Sequence, residues 1–86
     1  MNEKDLFYLL GFVKISKYRL ETLKSLENSM KTPSEISREI NTRTSQVSQA
    51  LSDLKRKDLV VCINDEVTKG RLYKCTPSGL EVLEYI

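Results

Sequence analysis

Apolar residues recur at helical spacing over most of the chain, and the pattern predicts four helices, a β-hairpin and a final helix. The clearest signal begins at Thr32, which is a good N-cap. Pro33 suits the first helical position, and Glu35 completes a capping box with Thr32. A short apolar face follows. Asn41 then suits the left-handed conformation that a helix exit often adopts, so we expect this helix to end there.

A second helix is predicted directly after this exit, with Thr42 or Thr44 as its N-cap. Its apolar positions follow the i, i+3, i+4, i+7 spacing of an amphipathic helix. They are Val47, Ala50, Leu51 and Leu54. Two short helices joined by a tight polar turn predict a helix-turn-helix.

The face of this second helix opposite its apolar stripe carries short hydroxyl and amide side chains. No charged residue occurs from Thr44 to Ser52, whereas a solvated helix face usually carries Glu and Lys. Hydroxyls and amides donate and accept hydrogen bonds at base edges, and they are small enough to enter a major groove. The pattern therefore favours a helix that reads double-stranded DNA. The alternative is a polar surface helix in a protein–protein interaction module.

Two further helices precede the helix-turn-helix. The segment from Asp5 to Ile15 is apolar nearly all round, which predicts burial on more than one side. One side is expected to meet the core and the other a second subunit, with a simple core helix or a strand as alternatives. Ser16 then caps the next helix, and Arg19 lies in its first turn. Because arginine there opposes the helix dipole, it indicates a carboxylate or phosphate partner, unless it is only solvated.

The segment after the helix-turn-helix has the alternation of a β-hairpin. Leu59, Val61 and Ile63 are expected to face the core, which would turn Cys62 outward. The polar residues 64–70 form the loop, and residues 71–75 form the returning strand, with Cys75 facing inward. The two thiols are therefore expected on opposite faces.

A short final helix is predicted after Thr76 and Pro77. Leu80 and Leu83, with Ile86 as a possible third residue, are expected to return to the core. Gly79 is a poor helix former, so the helix is expected to begin loosely.

The composition and charge of the chain exclude several classes of function. The chain has 86 residues, a net charge of +2 and no histidine, so neither a catalytic triad nor a histidine metal site is available. Residues 42–74 hold seven basic and four acidic residues, which places positive charge around the polar helix face and the hairpin. No apolar run approaches the roughly 20 residues of a membrane span. Two cysteines do not make a disulfide framework, which indicates a reduced, cytoplasmic compartment. An enzyme is not expected.

Three runs of sequence resemble a known family. They read SKYRLETLKSL, TPSEISREINTRTSQVSQALSDLKRKDLV and KGRLYKCTPSGLEVLE, and together they cover about residues 14–85. They are similar to small winged-helix transcriptional regulators, especially archaeal ones related to the MarR and ArsR groups, which commonly read TPSEIA, VSRAL, LEEKGLV and KGRLYRLTEKG. The resemblance implies an α+β, mostly helical, winged helix-turn-helix fold. Together with the apolar surface of the first helix, it leads us to expect one DNA-binding domain over residues 1–86, with residues 1–15 as a possible dimerisation element, and a homodimer without cofactor.

The polar helix face and the resemblance together predict the DNA-contacting residues. The recognition helix would span about residues 44–57 and enter the major groove, and the wing, residues 64–71, would lie along the adjacent minor groove. The residues expected to bind DNA are Arg43, Thr44, Ser45, Gln46, Ser48, Gln49, Ser52, Arg56, Lys69 and Arg71. Some ArsR relatives sense metals, but two thiolates without histidine fall short of the four ligands of a structural zinc site.

Three positions depart from the family pattern. Asn41 and Asp58 stand where the family often has glycine, and both residue types tolerate positive φ, so the turns are expected to survive. Gln49 stands where many relatives carry arginine. Glutamine suits a bidentate contact to adenine, whereas arginine suits guanine, so the base preference is expected to differ.

Overall fold

The computed structural model describes all of residues 1–86 and contains five helices and one two-stranded antiparallel sheet. The elements in chain order are α1 (Glu3–Lys14), α2 (Lys17–Ser25), α3 (Pro33–Glu39), α4 (Thr44–Arg56), β1 (Val60–Cys62), β2 (Tyr73–Cys75) and α5 (Pro77–Leu83). This is the α+β, mostly helical order that the hydrophobic pattern predicts, and α3 and α4 form its helix-turn-helix. Because α1 is a helix, the strand alternative for its segment is wrong.

Local signals at helix ends are mostly confirmed. Ser16 and Thr76 cap α2 and α5. The capping box of α3 is complete, since the Glu35 amide donates to Thr32 Oγ1 at 3.2 Å and the Thr32 amide donates to Glu35 Oε1 at 2.8 Å. The N-cap of α4 is different from the prediction. It is Arg43, which makes no side-chain capping bond, and Thr44 is already the first helical residue.

Both turns around α4 use left-handed residues. Asn41 has φ of 54° and Asp58 has φ of 57°, which confirms that the two residues adopt the conformation that glycine favours in similar sequences. These turns set where α4 begins and where β1 departs from it. They therefore fix the relative placement of the helix and the hairpin.

The core lies where α4 packs against α2, α3 and β1. The four apolar positions predicted for α4 are all buried, and Leu23 of α2, its C-cap Leu26 and Ile36 of α3 belong to the same core. Burial of one complete face fixes the rotation of α4 about its axis. As a consequence, the opposite face is held toward solvent.

The alternation in β1 differs by one residue from the prediction. Val60 and Cys62 are buried, Val61 is half-buried, and Ile63 is exposed. Leu59 is buried as predicted, but it belongs to the turn, because its amide donates to the Leu54 carbonyl at 3.0 Å. The strand's alternation starts only after that turn residue, and a shift of one residue exchanges the two faces of a strand.

The inward face of α5 differs in part from the prediction. Leu83 is buried as predicted, together with Val82, whereas Leu80 and Ile86 are each 42% exposed. Gly79 sets this rotation, because it is buried and a Cβ at this position would overlap the Leu59 backbone carbonyl. The start of α5 is therefore a close backbone contact and not a loose end, and the Gly79 amide donates to Thr76 Oγ1 at 3.0 Å.

Helix α1 presents much of its apolar surface to solvent. Only Leu6 and Val13 are buried, while Phe7 is 62%, Tyr8 58% and Ile15 82% exposed. One face of this helix therefore meets the core, as expected, and the face that carries Phe7 and Ile15 is exposed to solvent.

Candidate nucleic-acid interface

The predicted site residues fall on α4, its N-cap and the loop of the hairpin. Five of them make up what we call the polar face of α4. They are Ser45, Ser48, Gln49, Ser52 and Arg56, and all are exposed. Gln46 is half-buried at the edge of this face, and Arg43 and Thr44 are exposed at the start of the helix. The polar face is a direct consequence of the buried stripe on the other side of α4.

A groove of about 620 Å³ separates α4 from the wing, residues 64–71. Thr44, Ser48 and Ser52 line it from the helix, and Lys69 and Arg71 line it from the wing. The start of α3 closes one side through Thr32, Pro33 and Ser34. The structure thus brings five of the ten predicted residues around one concave surface.

The remaining predicted residues lie outside this groove. Ser45, Gln49 and Arg56 form the outermost line of α4 and do not line the groove. Arg43 and Gln46 border a second concave region on the other flank of the helix, together with Tyr18 from α2. A ligand in contact with all ten residues would therefore have to span the helix from flank to flank, as a nucleic-acid duplex does.

The wing is held together by its own side chains. Asn64 Oδ1 accepts from the Leu72 amide at 2.7 Å, and Asn64 Nδ2 donates to the Gly70 carbonyl at 3.2 Å. Gly70 has φ of 72°, a left-handed conformation that glycine adopts readily, at the point where the loop returns to the hairpin opposite Asn64. Lys55 of α4 reaches Asp65 at 3.3 Å and connects the helix with the wing.

Arg71 has a different position from that of Lys69. Its Nε donates to the Val67 carbonyl at 2.7 Å, and its Nη2 donates to the Asp65 carbonyl at 3.3 Å. The guanidinium is therefore folded back on the wing loop. Lys69 is exposed and forms no ion pair, so its ammonium is free to bind an external anion. Arg71 therefore stabilises the wing loop, and Lys69 provides a positive charge that forms no ion pair within the chain.

Asp53 is a part of the site that the sequence analysis missed. It is a buried carboxylate on α4, and it accepts hydrogen bonds from Gln49 Nε2 at 3.1 Å and from Arg56 Nη2 at 2.7 Å. Burial raises the pKa of Asp53, but the hydrogen bonds from Gln49, Arg56 and Arg19 outweigh it and hold the pKa below its usual value. The signal was present in the sequence, since Gln49 and Arg56 lie four residues before and three residues after Asp53.

Arg19 completes this group from α2. Its Nε lies 3.4 Å from Asp53 Oδ2, and its Nη1 donates to the Phe12 carbonyl at 3.0 Å. The guanidinium also lies over the Phe12 ring, 4.1 Å from its centroid. The predicted anionic partner of Arg19 is therefore a carboxylate of the same chain. Through these contacts Arg19 joins α1 and α2 to α4.

The two cysteines lie on the same face of the hairpin, which corrects the expectation of opposite faces. Cys62 pairs with Tyr73, and Val60 pairs with Cys75, so these four side chains share one side of the sheet. Both thiols are buried and reduced. Burial raises the pKa of the Cys75 thiol to about 11. No group of three or more histidine, cysteine or acidic side chains lies close enough together to hold a metal ion.

Comparison with known proteins identifies the fold. No protein-family model and no curated protein sequence matches the chain. Among solved structures, HlyU from Vibrio cholerae superimposes with a TM-score of 0.72 at 19% identity over 96% of this chain and 89% of that one. The reduced form of HlyU gives 0.74 at 20% identity, over 91% and 80% of the two chains.

A third match is a mutant of ZitR from Lactococcus lactis, with a TM-score of 0.72 and 17% identity over 81% of this chain. The chain spans about half of ZitR, 49% of its length. None of the five helices combines the length and apolar character that crossing a membrane requires. HlyU and ZitR are winged-helix proteins, and this chain has the same winged-helix fold, in which α3 and α4 form the helix-turn-helix and the hairpin forms the wing.

Proposed function

We propose that the protein is a sequence-specific, double-stranded DNA-binding transcriptional regulator. The observation that carries the proposal is the surface formed by α4 and the wing. An uncharged stretch of hydroxyl and amide side chains lies beside a free lysine, on a helix whose rotation the core fixes. HlyU and ZitR, which share the fold, are transcriptional regulators. Kinship with archaeal, MarR-type or ArsR-type regulators and a cytoplasmic location belong to the same proposal.

In the proposed complex, α4 enters the major groove with its N-terminal half. Ser45, Ser48 and Gln49 then face base edges, since they are exposed on the first turns of the helix. Arg43 and Lys69 lie on opposite sides of these residues and reach the phosphates that flank the groove. Arg56 lies at the other end of α4, where it suits the backbone rather than a base.

The proposed assembly is a two-fold homodimer formed through α1. Phe7, Gly11 and Ile15 follow one another at intervals of four residues and form what we call the α1 stripe. All three are exposed, and nothing lies within 4 Å of a Cβ added at Gly11, so a second helix has room to approach closely. Tyr85 borders the same surface next to Phe7 and is 58% exposed. A two-fold dimer places two recognition helices on half-sites about one helical turn apart.

Substitution of Gln49 tests the proposed function directly. A bidentate glutamine–adenine contact discriminates between bases by roughly 1–3 kcal/mol. We expect Gln49→Ala to lose preference at one base pair per half-site while non-specific binding at low salt persists. Gln49→Arg should move that position toward guanine, because the two donors of arginine match guanine O6 and N7. Selection of preferred sites from randomised duplex DNA measures both effects.

Gln49 is exposed, so both variants should melt at about the wild-type temperature. Ser29→Ala, an exposed change outside the site, is a control that should keep the wild-type preference. Identical preferences in all folded proteins would contradict base reading by Gln49. In that case a protein-interaction module on the same fold becomes the better account.

Variants of the wing distinguish the phosphate contact proposed for Lys69 from the structural role of Arg71. Lys69→Ala should weaken binding to all duplexes by a similar factor and lower the slope of log affinity against log salt by about 1, because one phosphate contact is lost. Arg71→Ala should have a larger effect, because it also releases the Val67 and Asp65 carbonyls that hold the wing. Salt titrations of binding, with hydrogen exchange of residues 64–71, measure the two effects. A changed base preference with unchanged affinity in Arg71→Ala would instead indicate reading of minor-groove shape.

A further inference from the structure

We propose that Asp53 is a positioning residue for base recognition, which holds the Gln49 amide and the Arg56 guanidinium in the orientation that they present to DNA. The inference rests on the proposed DNA-binding function. It adds a determinant of specificity that does not itself reach the duplex.

Both oxygens of the Asp53 carboxylate have partners within the chain. A single oxygen, Oδ1, accepts from both Gln49 Nε2 at 3.1 Å and Arg56 Nη2 at 2.7 Å. The other oxygen, Oδ2, faces Arg19 Nε at 3.4 Å. The orientations of two exposed side chains on the polar face are therefore coupled through one buried acid.

Arg19 fixes this carboxylate from behind. Its guanidinium donates to the Phe12 carbonyl at 3.0 Å and lies 4.1 Å from the centroid of the Phe12 ring. Arg19 is thus held by α1 as well as by Asp53. Arg19, which is held in place by Phe12, fixes the position of the Asp53 carboxylate. The carboxylate therefore does not move with Gln49 when the Gln49 side chain rotates. The acid instead restricts the rotation of Gln49.

This restriction sets which atoms Gln49 offers to a base. One hydrogen of Nε2 is directed to Asp53, which leaves the second hydrogen and Oε1 for an external partner. Adenine presents an acceptor at N7 and a donor at N6, which match that pair. An amide held in this way loses less conformational freedom on binding than a free one, and the opposite amide orientation is disfavoured. A negative charge near DNA lowers the overall binding affinity. Asp53 is therefore expected to increase base discrimination and to decrease affinity.

The test compares site selection by the full-length wild type, Asp53→Asn, Gln49→Ala and the double variant. Asparagine keeps the shape and removes the charge, so Gln49 and Arg56 lose their charged acceptor. We expect Asp53→Asn to lower discrimination at the Gln49 base pair by roughly 5-fold or more, the lower end for a bidentate contact, and to raise affinity for random duplex at low salt. In the Gln49→Ala background, Asp53→Asn should change that discrimination no further.

Glu27→Gln is the charge-matched control, because it removes one negative charge at an exposed position outside α4 and the wing. It should leave base preference unchanged. A general structural effect of Asp53→Asn would lower preference at all positions equally, and additive effects in the double variant would show independent roles. Either result overturns the inference, as does wild-type preference in Asp53→Asn, while the proposed function stands. A wild type that selects no sequence overturns both.

If Asp53→Asn does not fold, NMR side-chain relaxation of the wild-type protein tests the inference instead. The Gln49 amide and the Arg56 guanidinium should have restricted motion, close to that of the helix backbone. Order parameters below about 0.6 at both groups would mark flexible side chains and contradict the inference.

Discussion

A variant carrying Phe7→Lys and Ile15→Lys is expected to be monomeric and to bind a duplex with two half-sites at least about 100-fold more weakly than wild type, because the gain from bivalent binding typically amounts to 10²–10⁴-fold. Across a two-fold interface each lysine meets like charge from the second subunit, and the α1 stripe no longer buries apolar area. Both positions are exposed, so the fold of each subunit should persist. Light scattering at micromolar concentration and titration of the duplex measure the two effects.

The added charge by itself favours DNA binding, so it works against the expected loss. Asn28→Lys with Ser29→Lys is the matched control, since it adds the same charge on exposed linker residues away from α1. This control should remain dimeric and bind at least as tightly as wild type. A wild type that is monomeric at this concentration would contradict the proposed assembly. A charged α1 stripe that leaves a dimer intact would place the interface elsewhere.

Leu54→Ala is expected to lower the free energy of unfolding by about 2–5 kcal/mol, the usual range for a fully buried leucine. Leu54 is 0% exposed and belongs to the core cluster in which α4 meets its neighbours. In a domain of this size each kcal/mol moves the melting temperature by roughly 4–8 °C, so the effect is large. Chemical denaturation and thermal melting measure it.

Leu80→Ala is the matched control for this substitution. Leu80 was expected in the core from its spacing but is 42% exposed, because Gly79 turns the other side of α5 inward. The same chemical change there should alter the unfolding free energy by about 0.5 kcal/mol or less. Equal losses in the two variants would contradict the observed rotation of α5.

Much of the helix-turn-helix could be predicted from the sequence because its signals are local. The capping box between Thr32 and Glu35, the left-handed Asn41 and Asp58, and the buried stripe of α4 each depend on residues within a few positions of one another. The placement of Ser48 and Gln49 opposite that stripe follows from helix periodicity alone. For this reason the polar face was the most predictable part of the site.

The predictions that were wrong or incomplete concern features that are set by tertiary contacts. The faces of β1 depend on the Leu59 turn, and the rotation of α5 depends on the approach of Gly79 to the Leu59 carbonyl. The roles of Arg19 and Asp53 depend on each other although 34 residues separate them. Arg71 could be placed in the wing from the sequence. That its guanidinium binds the wing backbone required the loop conformation.

The most direct test of sequence-specific DNA binding is the affinity of the wild-type protein for its selected duplex and for a shuffled duplex of equal composition, each measured over a series of salt concentrations. We expect the selected duplex to bind about 10³-fold tighter or more at physiological salt, the usual lower limit for specific regulators. Both affinities should fall linearly in log–log form as salt rises, because phosphate contacts release counterions. Equal affinities for the two duplexes, or no salt-dependent binding to either, would contradict the account.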